Sequence, residues 1–262
     1  MAIELKPSAA PTLLLNSGLD AAALRQARID LAACFRAAAK LGLQEGICNH
    51  FSVLAPGRDD LFLVNPYGLA FEEITASSLL VCDFAGNVLE GEGAPEATAF
   101  YIHAQLHKLH PRAKAAFHTH MPNATALSMI DGDPLVWAGQ TALKFYGRIA
   151  VDRDYNGLAL DYDEGARIAE AMGDADIVFM RNHGVMVVGP TIGEVWDDLY
   201  YLERACEVQL KAMSTGRSLV AVKPEIAQKA YEQMRAGDPE SGRLHLESIK
   251  RTLSKQDPSF ME

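Results

Sequence analysis

The chain has 262 residues, 49% hydrophobic and 22% charged, with 24 Lys and Arg against 34 Asp and Glu for a net charge of −10. That length suffices for a full core, while the acidic balance and the lack of any basic stripe exclude nucleic acid and anionic membrane surfaces as partners. No apolar run approaches the roughly 18 residues of a membrane span, so the expectation is a cytoplasmic protein acting on a small molecule.

Residues 1–19 read as an extended arm whose Glu4, two prolines and short Leu13–Leu15 run do not make a secretory signal. Asp20 caps a helix through AAALRQARIDLAACFRAAAKLGL, which ends near Gly42. Strands follow at 47–55 and 61–66, separated by a PGRDD turn. Thr75 caps a short turn before the strand LLVCDF, and Gly86-Asn87 turns the chain into VLEG. Pro95 suits the first turn of a helix that runs to His110 and is stopped by Pro111. Then come the strand AKAAFHTH, a helix NATALSMI, a break at DGDP and a helix over 163–173 closed by Gly173. DIVFMRNHGVMVVGP reads as two short strands joined by a turn, and Thr191 with Glu194 forms a capping box for a long helix. The polar tail from Lys223 to Ser254 is helical, with a loose end. Without repeats or linkers, residues 20–215 form one domain with a C-terminal helical extension over 216–262 packed on it. Alternating helices and strands with hairpins mixed in predict an α/β fold with a helix-flanked mixed sheet. The four cysteines (Cys34, Cys48, Cys82, Cys206) show no CxxC spacing and are read as reduced thiols.

The chemistry concentrates in FHTH and RNHG. On a strand, His118 and His120 share a face while Thr119 opposes them; they are either two ligands of a cation or a polar pair facing solvent. His183, in a turn beside Gly184, is either a hydrogen-bonded turn residue or a third ligand, with Gly184 permitting the bend. Three imidazoles so placed make the nitrogen face of a catalytic metal site with open positions. His103 and His107 have the i, i+4 spacing of a metalloprotease helix, but Ala104 stands where that motif needs glutamate. The plainer reading puts one of the two toward the core and the other toward solvent.

GICNHFSV, VNPYGLAFEEITASSLL, FHTHMPNATALSM and RNHG, in this order, resemble the class II aldolase/adducin family over about residues 20–215. The resemblance implies a three-layer α/β/α fold with a mixed central sheet. It implies a divalent metal, zinc by default with manganese, iron or cobalt as alternatives, held by His118, His120 and His183, and a homotetramer. It also implies carbon–carbon bond cleavage, retro-aldol or decarboxylation, through an enolate that the metal stabilises.

Departures from the family's sugar-phosphate aldolases narrow this. Their Ser-Ser-Glu-like segment, counted back without gaps from His103 and Pro111, falls on Ala97-Thr98-Ala99, so the acid/base glutamate is displaced. Glu96 is the candidate replacement, with a favourable acidic residue of a first helical turn as the other reading, and Tyr67 is the next candidate for moving a proton. The phosphate-binding Thr-Gly becomes Tyr67-Gly68, which with the lost serines points to an unphosphorylated hydroxy-oxo acid or related compound. Asn49 and Gly68 are candidate substrate contacts. Arg181 is either a partner for a substrate carboxylate or half of a structural ion pair. The rival to a lyase is a non-catalytic adducin-like binding or assembly module.

Overall fold

The computed structural model describes residues 19–262; the predicted arm, apart from Leu19, lies outside the described residues. Asp20 accepts hydrogen bonds from the Ala22 and Ala23 amides to start α1 (Ala21–Leu41), and Gly42 ends it. Four antiparallel strands follow: β1 (His50–Leu54), β2 (Leu61–Val64), β3 (Leu80–Asp83) and β4 (Val88–Glu90). Next come α2 (Ala97–Leu109), β5 (Ala115–Thr119), α3 (Pro122–Ser128), α4 (Gln140–Leu143) and β6 (Ile149–Asp152). The chain continues through α5 (Tyr162–Met172), β7 (Ile177–Met180), β8 (Gly184–Gly189), α6 (Ile192–Met213), α7 (Pro224–Arg235) and α8 (Asp238–Gln256).

These strands make one eight-stranded sheet in the order β4-β3-β2-β1-β5-β8-β7-β6, antiparallel except for the parallel β6–β7 pair. Side-chain alternation sorts its two faces. Phe51 of β1 and Phe117 of β5 stack 4.0 Å apart within a core shared with Phe35 of α1 and Trp196 of α6. The alternate residues, Ser52 and Leu54 of β1 and Ala116 of β5, face the other side, where α2 and α5 pack. The result is the expected α/β/α sandwich with a mixed sheet.

Several boundaries differ from the sequence reading. The first two strands are shorter than predicted because their ends, Ile47–Asn49 and Asn65–Pro66, leave the ladder as loops. The short helix α4 and the edge strand β6 were not foreseen, since Ile149–Asp152 has only four residues and gains its strand character by pairing with β7. The helix predicted from Pro95 begins two residues later, with Glu96 as its N-cap. The C-terminus is not loose: a 3-10 turn over Pro258–Met261 buries Phe260, and the Ala76 and Ser77 amides donate to Phe260 O and Glu262 O.

A buried charge cluster ties the start of α8 to α6 and to the segment between α4 and β6. Lys144 Nζ lies 2.6 Å from Asp238 Oδ1 at the start of α8 and 3.1 Å from both Asp197 Oδ2 and Asp198 Oδ1 of α6. Arg148 reaches Asp198 at 2.5 Å and Asp176 at 2.7 Å. The cations offset the desolvation of four carboxylates; despite burial, Arg148 and Arg112 hold Asp176 below the ordinary carboxylate range, and His245 and Lys144 do the same for Asp197.

Candidate functional site

The antiparallel register pairs His50 of β1 with His118 of β5, so their rings stack 4.9 Å apart at 29°. His120 follows at the end of β5, and His183 arrives from the β7–β8 turn. The ring centroids of His118, His120 and His183 are mutually 4.9 Å apart, and one nitrogen of each lies within 4.8 Å of the other two. Among the described residues this is the one group of three or more histidine, cysteine or acidic side chains so arranged.

The turn uses its residues differently from the sequence reading. Asn182, at φ 57°, takes the left-handed conformation. Gly184 is instead a β8 residue, and its bare Cα admits close neighbours: a Cβ there would lie 2.6 Å from Thr119 O and 2.9 Å from the His120 ring. Its smallness serves close packing of β8 on the histidine-bearing end of β5.

The hydrogen bonds of His118 and His120 suit a cation. Val185 O can only accept, so the 2.9 Å contact places a hydrogen on His118 Nδ1 and leaves Nε2 with a lone pair. His120 Nδ1 lies 2.6 Å from Glu45 Oε2, so its Nε2 is bare too when the ring is neutral. These two nitrogens face each other at 3.1 Å. Burial, with the neighbouring rings His183, His50 and His120 adding to it, pushes His118 well below the ordinary histidine range. Burial and then His120 bring His183 down to about 4. Two ring nitrogens facing each other at 3.1 Å, with the His183 ring 4.9 Å from both imidazoles, fit a divalent cation. The sequence reading missed Glu45 because the loop between α1 and β1 carries no periodic signal.

Asn49 is fully buried; its Oδ1 accepts from Glu45 N at 2.6 Å and His120 N at 3.4 Å, while its Nδ2 has no partner among the described residues. A buried amide donor without a partner is an exception that calls for an explanation. Glu96 caps α2 through Oε2, which accepts from Ala99 N at 2.9 Å and from the Thr98 hydroxyl; the same oxygen lies 4.0 Å from His50 Nε2. Both readings of Glu96 thus have a physical basis. Tyr67 is 57% exposed and makes no hydrogen bond or ring contact with the histidines, although Gly68 beside it occupies φ 96°, which favours glycine. Arg181 Nη1 donates to Ile130 O at 2.6 Å and lies 4.0 Å from Asp131, an arrangement that bridges β7 to the end of α3.

The pair on α2 departs most from expectation: His103 and His107 are both buried, not one inward and one outward. Four residues apart, they share the sheet-facing side of the helix, and both contact Ser52 Oγ, at 2.5 Å from His103 Nδ1 and 2.7 Å from His107 Nε2. His103 Nε2 continues to His50 Nδ1 at 3.1 Å. Six of the eight histidines therefore form one connected group reaching the candidate metal centre.

Residues 29–210 match the Class II Aldolase and Adducin N-terminal domain. The chain belongs to the class II aldolase/adducin family. An aldolase II superfamily protein from Pseudomonas syringae superposes with a TM-score of 0.86, at 31% identity over 95% of this chain and 100% of that one. L-fuculose 1-phosphate aldolase from Glaciozyma antarctica superposes at 0.77, with 26% identity over 88% and 91% of the two chains. The decarboxylase NovR of Streptomyces niveus is 31% identical over 71% of this chain and 69% of its own. No described helix is long and apolar enough to cross a membrane.

Proposed function

We propose that the protein is a metal-dependent carbon–carbon lyase, acting by retro-aldol cleavage or decarboxylation on a small unphosphorylated hydroxy-oxo acid or related compound, and working as a homotetramer. The observation that carries this is the convergence of His118, His120 and His183, two of them with Nε2 lone pairs directed by Val185 O and Glu45. A divalent cation, zinc by ligand type, supplies stabilisation for negative charge developing on a substrate oxygen when the carbon–carbon bond breaks. The protein's own groups do the rest. Asn49 Nδ2 donates to a substrate oxygen, replacing the partner it lacks. Glu96 exchanges the proton through Oε1, the oxygen left free by the cap.

Selectivity against phosphate follows from the start of α2. A helix N-terminus attracts anions, but here the Glu96 carboxylate already occupies it, the Thr98 hydroxyl is turned to Glu96, and Ala97 and Ala99 offer no hydroxyl. A phosphate would meet negative charge and few donors.

The same cap is the specific observation favouring a non-catalytic module, because it gives Glu96 a purely structural task. The test is release of carbonyl product or carbon dioxide from a panel of hydroxy-oxo acids and their phosphate esters by zinc-loaded protein. We expect turnover of unphosphorylated members, abolished by chelator and restored by zinc, and reduced about 100-fold or more in Glu96→Gln. Turnover that survives chelation, or a preference for the phosphate esters, contradicts the reading.

A further inference from the structure

A line of buried hydrogen bonds runs from the backbone to the candidate centre, and its polarity can be read from one end. Ala113 O accepts only, so its 2.6 Å contact fixes the hydrogen of His107 on Nδ1. Burial keeps the His107 ring neutral, down to about 4, so its Nε2 accepts and the 2.7 Å contact takes the Ser52 hydroxyl hydrogen. With that hydrogen engaged, Ser52 Oγ accepts from His103 Nδ1 at 2.5 Å. His103, wholly buried and neutral, then offers a bare Nε2 to His50, whose Nδ1 must donate across 3.1 Å. His50 Nε2 is left at the far side of the ring, 4.0 Å from Glu96 Oε2, on an imidazole stacked against His118.

Packing alone does not call for this line. Ser52, His103 and His107 lie among Phe62, Phe100 and Leu106, where apolar side chains would avoid the cost of burying polar atoms. Each member is satisfied only if all hydrogens point the same way, so the line transmits one piece of geometry, the side of His50 on which the hydrogen sits. At its end, a ring nitrogen and a carboxylate oxygen, both acceptors, stand too far apart to bond. Their spacing admits a hydroxyl oxygen within reach of both, its one hydrogen going to either acceptor.

We propose that His50 Nε2 and Glu96 form an acceptor pair for a hydroxyl-bearing group of the substrate beside the three-histidine centre, with His103, Ser52 and His107 as positioning residues that keep Nε2 bare. The substrate half of this rests on the metal-site reading above; the relay does not.

The test has two arms on the full chain. Long-range proton–nitrogen correlation on the metal-free protein with labelled histidines distinguishes Nδ1–H, Nε2–H and doubly protonated rings, with His50 assigned by its loss in His50→Leu. At neutral pH, His50, His103 and His107 are expected in the Nδ1–H form. In Ser52→Ala, checked for an unchanged melting temperature, His50 and His103 are expected to become tautomer mixtures. In the second arm, zinc-loaded protein is titrated with glycolate and with acetate, which differ by one hydroxyl. Preference for glycolate is expected to fall roughly threefold to tenfold in His50→Leu and to fall partly in Ser52→Ala. A His50 that is doubly protonated or Nε2–H in the native chain overturns the relay, whichever variants fold. An undiminished glycolate preference in His50→Leu overturns the acceptor pair. Failure to take up zinc at all refutes the metal reading alone, while the tautomers still decide the relay.

Discussion

Replacing Gly184 by alanine probes how the strand ladder sets the histidines. The new methyl would sit 2.6 Å from Thr119 O and 2.9 Å from the His120 ring carbon, so β8 must move away from the end of β5 by roughly 0.5–1 Å to regain ordinary contact. Thr119 pairs with Val185, whose carbonyl holds His118 Nδ1, so the same displacement disturbs two of the three rings. Overpacking of this kind costs about 1–3 kcal/mol, and a site displaced by more than about 0.5 Å loses its productive geometry. Urea denaturation of the metal-free protein and zinc titration against a fluorescent competitor read the two effects. Gly189→Ala, at the opposite end of β8, is the control, since its methyl meets the buried Val195 side chain at a comparable 2.9 Å but away from the histidines. Gly184→Ala is expected to lose stability within that range and at least tenfold in zinc affinity, and Gly189→Ala to bind zinc as the native protein does. Native zinc affinity in Gly184→Ala, or equal losses of zinc affinity in both variants, would refute the reasoning.

Arg148→Met leaves Asp176 and Asp198 without the guanidinium that bridges them at 2.7 and 2.5 Å; removing one partner of a buried cluster costs about 3–5 kcal/mol, to be read from the urea midpoint. Glu45→Gln removes the carboxylate on His120 Nδ1 and should weaken zinc binding about tenfold, the lower end for such a partner because Glu45 is exposed; unchanged affinity would show that Glu45 does not orient the ring. Acid should destabilise the metal-free protein early. His107 is held near 4 by burial against about 6.5 unfolded, so below about pH 6.5 the unfolded chain takes up a proton that the folded one refuses. Stability is then lost between about pH 6.5 and 4, by about 3 kcal/mol for this residue, and urea midpoints that stay flat across that window would contradict it.

The sequence carried the fold well where local signals agreed. Asp20 and Gly42 bound α1, and Thr191 with Glu194 begins α6, because caps act within a few residues. It could not show β6, whose four residues become a strand only beside β7, nor the cluster around Lys144 and Arg148, whose carboxylates come from three distant segments. At the site, only the family resemblance of FHTH and RNHG joined His183 to the other two, but alternation on β5 put His118 and His120 on one face as a local fact. The relay was hidden for the opposite reason: Ser52 is an unremarked strand residue until α2 folds over it, and only then do His103 and His107 acquire a shared partner. Glu96 was ambiguous in the sequence because capping and catalysis ask for the same residue at the same helix end.

The most direct test of the central claim is metal stoichiometry by elemental analysis, after dialysis of untagged protein against zinc, manganese or iron, beside a His118→Ala/His120→Ala double variant that retains its circular dichroism. The account predicts close to one ion per chain in the native protein and none in the variant. A native protein that stays empty with all three metals, or a double variant that binds as much, would contradict it.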